Sequence, residues 1–233
     1  MRRSIFFFLV VCLGIGVITA CSPRQFTTVT IYDTPAAFVR LEFDRTVKTG
    51  REHSHPISLT PQQVAAVLGG VIVHEPNAFI RGDIFQRNPV PRVHPAFSDK
   101  DIAFFAPLLA LALSKATPEE VVTFYQTRDL SVLSREVTSG GLFVQGDQLH
   151  LILANYRSST RYMADTGVAE TEDDRLTPMQ SLSPQRSRLD FEPHSAKWEQ
   201  QIDGLEKVFQ QDNRKLIVLY KQLEPRPLVE VTP

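Results

Sequence analysis

Cysteine is scarce in this chain, because its 233 residues contain only two. A disulfide-built scaffold needs several cysteine pairs, and a structural zinc site needs about four Cys or His ligands. The cysteine count therefore excludes a disulfide scaffold and a Cys-rich metal site. A charge excess is also lacking, since 25 Lys and Arg face 26 Asp and Glu. Without a basic field or basic residues interleaved with aromatic ones, no nucleic-acid partner is expected.

Catalytic and cofactor motifs are lacking as well. The chain contains no P-loop, no GxGxxG dinucleotide turn, no HExxH or CxxC metal or redox pair, and no GxSxG nucleophile elbow. We therefore predict a protein that is not an enzyme and that carries no cofactor.

Residues 1–20 are predicted to form a signal peptide. Arg2 and Arg3 precede an uncharged apolar run over residues 5–20, which ends in small residues. This run of 16 residues is shorter than the roughly 20 that a membrane-spanning helix needs. A cleaved export signal fits the pattern better than a permanent membrane helix.

The end of the apolar run resembles the lipobox of bacterial lipoproteins. Ile18, Thr19 and Ala20 precede Cys21, as in the family's pattern of an aliphatic residue, a small residue, Gly or Ala, and Cys. The resemblance implies that Ile18–Ala20 are recognised for signal cleavage and that Cys21 receives diacylglycerol and a further acyl chain. More than one acyl chain anchors a protein stably, so the membrane is an expected partner. Ser22 follows Cys21, and a serine at this position resembles lipoproteins that are sorted to the outer membrane. The resemblance implies an outer-membrane protein that faces the periplasm.

The mature chain is predicted to form one domain over 27–224, tethered to the lipid by 21–26 and followed by an extended tail over 225–233. A flexible polar loop is expected at about 157–188. We predict an α+β fold with a predominantly antiparallel sheet. Its strands are an N-terminal hairpin (26–32 and 37–44), a meander (131–138, 141–145 and 148–156) and a short edge strand around Leu189 and Phe191 that ends at Pro193.

About four helices are predicted to pack on this sheet. Helix-start patterns at Thr60, Ser98 and Thr117 indicate helices over 60–69, 99–115 and 118–128, and Pro107 should kink or divide the second. Its apolar run 102–113 fits a central buried helix or, alternatively, a surface for the membrane or a partner. The spacing of apolar residues favours a fourth helix over 196–224, with the alternative that it ends near Asp212 and that 215–221 is a strand.

Histidines are the candidate residues for chemistry. His53 and His55 lie two apart in a polar loop and are weak candidates for a metal site, together with His74, Glu75, Asp83 and His94 if these converge. His150 alternates with leucines and is interpreted as a sheet residue. The other candidates are two serines near it as nucleophiles and a polar strand end for recognition: Ser134, Ser139, and Asn155 with Tyr156 and Arg157.

These observations favour a membrane-anchored envelope lipoprotein that holds or assembles a partner protein and is not an enzyme. The alternative is a periplasm-facing domain that binds a small molecule or a metal, with segment 157–188 as its lid. A hydrolase would require a serine or aspartate within reach of His150.

Overall fold

The computed structural model describes residues 26–75, 93–131, 134–161, 174–182, 187–198 and 214–229. Several predicted features lie wholly or partly outside these residues. They are the signal peptide, the lipobox with Cys21, Asp83, residues 162–173 and 183–186 of the polar loop, the middle of the proposed helix 196–224, and the end of the tail.

Antiparallel strands dominate the described residues. Nine strands form a six-stranded sheet in the order β1-β2-β5-β6-β7-β9 and a three-stranded sheet in the order β4-β3-β8. The strands are β1 (Thr27–Asp33), β2 (Ala37–Phe43), β3 (Val71–His74), β4 (Val93–Pro95), β5 (Glu120–Ser131), β6 (Ser134–Gln145), β7 (Gln148–Arg161), β8 (Arg188–Phe191) and β9 (Lys215–Leu219).

The predicted N-terminal hairpin is confirmed. β1 and β2 pair across a turn in which the Thr34 N–H donates to the Ala37 carbonyl at 2.8 Å, and the Ala37 N–H donates to the Thr34 hydroxyl at 3.1 Å. β1 is an edge strand, and its pairing with β2 shifts register twice. Gly146, with φ of 58°, lies in the tight turn between β6 and β7.

Two α-helices cover one face of the six-stranded sheet, here called the inner face. They are α1 (Pro61–Gly70) and α2 (Asp99–Lys115), and both begin with a capping box as predicted, at Thr60 with Gln63 and at Ser98 with Asp101. Pro107 lies within α2 and does not divide it. The core contains inward-facing residues of every strand of the sheet except β1, such as Leu41, Phe124, Val144, Leu151 and Val218.

The prediction of an α+β fold with about four helices is wrong, since the described residues contain nine strands and two α-helices. Residues 118–128 were expected to be helical but belong to β5. The Thr117 pattern does form a local turn, in which the Thr117 N–H donates to Glu120 Oε2 at 2.8 Å. The chain then continues as a strand because β-branched and aromatic residues follow and pair with β2 and β6 on either side.

The prediction of a helix over 196–224 is also wrong for the residues of this range that the structure describes. Residues 215–219 form β9, and a short 3₁₀ turn follows over Tyr220–Gln222. Leu216 and Val218 alternate with less buried neighbours, which is the period of a strand against β7. Residues 199–213 lie outside the described part of the chain.

The meander has fewer and longer strands than predicted. Segments 131–138 and 141–145 are not separate strands, because Ser139 and Gly140 lie within β6. The predicted short edge strand is confirmed as β8, at the edge of the smaller sheet. No helix among the described residues combines the length and the apolar character needed to cross a bilayer.

Candidate functional site

Three histidines from distant parts of the chain meet around Phe143 near one end of the six-stranded sheet. The ring of His53 lies 4.2 Å from that of Phe143, and the rings of His53 and His55 lie 5.5 Å apart. His150 stacks on Phe143 with centroids 4.6 Å apart and 16° between the ring planes. These four residues are called the histidine cluster below.

His55 joins two strands where their backbone ladder ends. Its Nδ1 lies 3.0 Å from the Glu120 carbonyl, and its Nε2 accepts the Val144 N–H at 3.2 Å. This pair of contacts assigns the proton to Nδ1, because a carbonyl can only accept and an N–H can only donate. Burial, followed by the charge of His53, lowers the pKa of His55 to about 4. Both nitrogens of the neutral ring are therefore occupied by the backbone.

His53 is paired with a carboxylate. Its Nε2 lies 3.1 Å from Asp44 Oδ2, and its Nδ1 is buried with no hydrogen-bond partner among the described residues. Burial by itself would raise the pKa of Asp44, but hydrogen bonds from His53 and Thr46 outweigh it and lower that pKa. The backbone of this loop also pairs with the sheet, since the Ser54 N–H donates to the Val144 carbonyl at 2.7 Å.

His150 has the fewest hydrogen bonds of the three histidines among the described residues. It is 5% exposed, and neither ring nitrogen has a hydrogen-bond partner among the described residues. Burial lowers its pKa to about 4, helped by the positive charge of Lys215 and by His53. A neutral imidazole with so low a pKa is a weak general base at neutral pH, and no described serine or aspartate hydrogen-bonds to it. The arrangement does not support the hydrolase hypothesis.

The histidine cluster does not bring a set of three metal ligands together among the residues that the structure describes. Within the described ranges, no three His, Cys, Asp or Glu side chains converge as metal ligands would. His53 and His55, the weak metal candidates, are buried rather than exposed, and His55 has no nitrogen left for a metal.

The remaining histidine candidates lie in the smaller sheet. Nε2 of His74 is 3.4 Å from Asp190 Oδ2. His94 stacks with Tyr156 at 5.8 Å, and its Nδ1 is 3.2 Å from the Tyr156 hydroxyl. The structure therefore separates these residues from His53 and His55 instead of bringing all of them together.

Asp190 was not singled out from the sequence, yet it organises this smaller sheet. Lys197 Nζ donates to its Oδ1 at 2.8 Å, and the Phe191 N–H donates to the same atom at 2.9 Å. Burial would raise the pKa of Asp190, but these hydrogen bonds outweigh it and lower that pKa. Only its alternation with Leu189 and Phe191 in the sequence marked it as a strand residue.

Ser139 and Asn155 fasten part of the polar segment to the sheet. The Ser139 hydroxyl donates to the Pro178 carbonyl at 2.8 Å and accepts from Asn155 Nδ2 at 2.9 Å. The Asn155 amide also donates to the Gln180 carbonyl at 2.7 Å and accepts the Leu182 N–H at 2.8 Å. Residues 174–182 thus lie on the outer face, opposite the helices, and Ser139 is engaged in structure.

The last two candidates lie away from this network. The Ser134 hydroxyl, at the start of β6, lies 2.7 Å from that of Ser131, at the end of β5. Arg157 adopts the left-handed backbone conformation, with φ of 45°, and its guanidinium lies 5.6 Å from the ring centroid of Tyr156.

Glu42 is a buried carboxyl in β2, although it alternates with apolar residues as side chains on a solvated face do. It is 1% exposed, and its Oε2 has no hydrogen-bond partner among the described residues. Burial raises its pKa to about 7, against a hydrogen bond with Thr123 and the charge of Arg40, which lower it. Because Arg40 and Glu42 alternate with apolar residues, they lie on the opposite face of β2 from those residues. The alternation does not show whether other segments of the chain cover that face.

Comparison with protein-family models, with curated protein sequences and with solved structures finds no match to this chain.

Proposed function

We propose that this chain is a lipid-anchored protein of the bacterial envelope, acylated at Cys21 and directed to the outer membrane, where it holds or assembles a partner protein without catalysing a reaction. The observation that carries the proposal is the sequence Ile18-Thr19-Ala20-Cys21 at the end of the apolar run. Two or more acyl chains on Cys21 are sufficient for stable attachment.

The position of the first strand supports a domain held close to the bilayer. β1 begins at Thr27, so five residues, Ser22 to Phe26, separate it from Cys21. An extended chain reaches at most about 3.6 Å per residue, which limits this tether to roughly 18 Å. Such a short connection suits a protein that works at the membrane surface.

The internal hydrogen bonds of the polar candidate residues count against a catalytic role for them. His55 joins β5 to β6, and Ser139 and Asn155 hold residues 178–182 on the outer face. Side chains that already form hydrogen bonds within the protein are poorly placed to exchange protons with a substrate.

The anchor is tested by substituting each cysteine in turn. Cys21→Ala should abolish incorporation of labelled palmitate and leave the precursor unprocessed by lipoprotein signal peptidase. Cys12→Ala is the matched control, since Cys12 lies inside the predicted signal peptide, and this variant should be labelled and cleaved normally. Labelling that persists in Cys21→Ala would refute the proposed anchor.

The assembly role requires a separate experiment. The tagged full chain, solubilised from envelopes in mild detergent, should repeatedly co-purify with the same envelope protein at constant stoichiometry. Repeated purification without such a protein, together with bound metal or a small molecule in the purified sample, would instead support the alternative of a ligand-binding domain.

A further inference from the structure

We infer that four exposed apolar residues near the start of β1 form a surface that contacts the lipid bilayer. This surface, called the membrane patch, consists of Phe26, Val29, Phe43 and Leu111. The inference rests on the proposed acylation of Cys21 and extends it, because it states which face of the domain is turned toward the lipid.

Three residues of the patch lie side by side on one face of the β1–β2 hairpin. Phe26 is 64% exposed, Val29 43% and Phe43 38%. The Phe43 N–H donates to the Phe26 carbonyl at 3.0 Å, so these residues lie opposite each other. Val29 is paired with Leu41, which precedes Phe43 by two residues, and residues two apart share a face of the sheet.

Leu111 extends the patch onto α2. The ring of Phe104 meets that of Tyr32 edge-on at 5.2 Å, which places the helix beside β1. Leu111 follows Phe104 by seven residues and therefore lies on the same side of the helix, where it is 44% exposed. The helix ends near Phe43, because Glu120, which follows it by a short connection, pairs with Phe43.

The length of the tether favours the bilayer as the occupant of this surface. Cys21 precedes Phe26 by five residues, so acyl chains on Cys21 keep Phe26 within roughly 18 Å of the membrane interface. Arg45 lies over the ring of Phe26, with its guanidinium carbon 5.2 Å from the ring centroid. An aromatic ring beside a long cationic side chain is suited to the interface, where the ring enters the lipid and the charge stays in water.

Apolar contact rather than charge should hold the patch to the lipid. The loop after Phe43 carries Arg45, Lys48 and Arg51, but also Asp44 and Glu52, so its net charge is small. Contact with the bilayer should accordingly persist at high salt, whereas contact through a basic cluster is screened.

A strand from a partner protein fits this edge less well. The register between β1 and β2 shifts between Thr27 and Val29 and again between Thr30 and Tyr32. Irregularities of this kind twist an edge strand and are a common protection against pairing with another chain.

The test uses the full mature protein, purified from cells and reconstituted into vesicles of phosphatidylethanolamine and phosphatidylglycerol. Phe43→Trp introduces a fluorophore in the patch. Leu130→Trp is the matched control, because Leu130 is also an exposed apolar residue but lies near the other end of β5 from Glu120, which pairs with Phe43. Trp198 contributes the same background to both variants and is measured in the unsubstituted protein.

Lipids that carry a nitroxide in the acyl chain should quench Phe43→Trp above this background and leave Leu130→Trp at background, at low and at high salt. Equal quenching at the two positions, no quenching at position 43, or its loss at high salt would overturn the inference. Protection of position 43 by a co-purified protein instead of lipid would also overturn it.

Mass analysis of the N-terminal peptide before reconstitution separates this result from the fate of the anchor. If Cys21 is not acylated, the proposed function fails. If Cys21 is acylated and position 43 is not quenched, only the membrane patch fails.

Discussion

The backbone N–H of Val144 donates to Nε2 of His55 over 3.2 Å, and the opposite nitrogen of that ring donates to the Glu120 carbonyl over 3.0 Å. One side chain from a loop thus replaces a rung of the ladder between β5 and β6. The contact closes the end of the sheet, and it explains why a histidine in a polar loop is buried.

His55→Ala should destabilise the protein by about 1–3 kcal/mol, because it leaves a buried N–H and a buried carbonyl without a partner. The measurement is the free energy of unfolding from urea titration at neutral pH. His194→Ala is the matched control, since His194 is exposed, and its effect should stay within about 0.5 kcal/mol. Equal losses in the two variants would show that the bridge does not stabilise the sheet.

His150→Phe should flatten the dependence of stability on pH. The pKa of His150 is about 4 in the folded protein and close to 6.5 in the unfolded chain. Between these values the unfolded chain binds more protons, so the free energy of unfolding falls as the pH is lowered from about 6.5 to 4. His55 contributes in the same sense and remains in the variant, so part of the slope should persist. Urea titrations at pH 5 and 7.5 measure this slope, and an unchanged slope would contradict the prediction.

Glu42→Gln should change the dependence of stability on pH in the opposite direction, and it serves as a control in the same urea titrations. The pKa of Glu42 is about 7 when folded and 4.5 in the unfolded chain, so here the folded protein binds more protons. The stability that this group contributes is present below pH 4.5 and is lost as the pH rises toward 7. Glutamine cannot ionise, so the variant should gain stability relative to the native protein at pH 7.5 compared with pH 5. A difference that is the same at both pH values would argue against a protonated Glu42.

Gly140→Ala should cost more stability than Gly141→Ala, although the two residues are neighbours in β6. A Cβ at Gly140 would lie 2.0 Å from the backbone oxygen of Ile152, which cannot move without disturbing β7. A Cβ at Gly141 would meet Sδ of Met179 at 2.5 Å and the backbone oxygen of Val122 at 3.1 Å. The flexible Met179 side chain can move aside, and the backbone contact is far less close than the one at Gly140. Thermal unfolding of the two variants measures the difference, expected to exceed about 1 kcal/mol. The opposite order would mean that β7 yields more easily than residues 174–182.

Asn155→Ala should release Leu182 from the outer face while the sheet and the turn over 177–180 stay folded. The Leu182 N–H donates to Asn155 Oδ1, so its hydrogen exchange should accelerate in the variant. The Gln180 N–H, which donates to the Thr177 carbonyl, is the internal control and should change much less. Unchanged exchange at Leu182 would show that other contacts hold this segment.

Local chemistry accounts for what the sequence predicted correctly. The capping boxes at Thr60 and Ser98 and the turn at Thr34 involve residues three apart, and the structure contains all of them. The Thr117 pattern is equally local and forms its turn, yet the chain beyond it is a strand. The outcome there depends on β2 and β6, which lie on either side and are distant in sequence.

Candidate residues were predictable as residue types but not as neighbours. Sequence grouped His53 with His55, whereas the structure adds Phe143 and His150 and places His74 and His94 in the smaller sheet. The burial of Glu42 was missed because alternation along a strand defines two faces without stating which segments cover them.

By itself, the sequence determined the β1–β2 hairpin, the starts of α1 and α2, and the lipobox pattern from which the membrane anchor is proposed, because each depends on residues within a few positions of one another. Only the tertiary structure decided that β5 and β9 are strands, that the histidines surround Phe143, and that a bridge from His55 ends the ladder. These features depend on contacts between distant segments, whose combined hydrogen bonding and burial outweigh local preference.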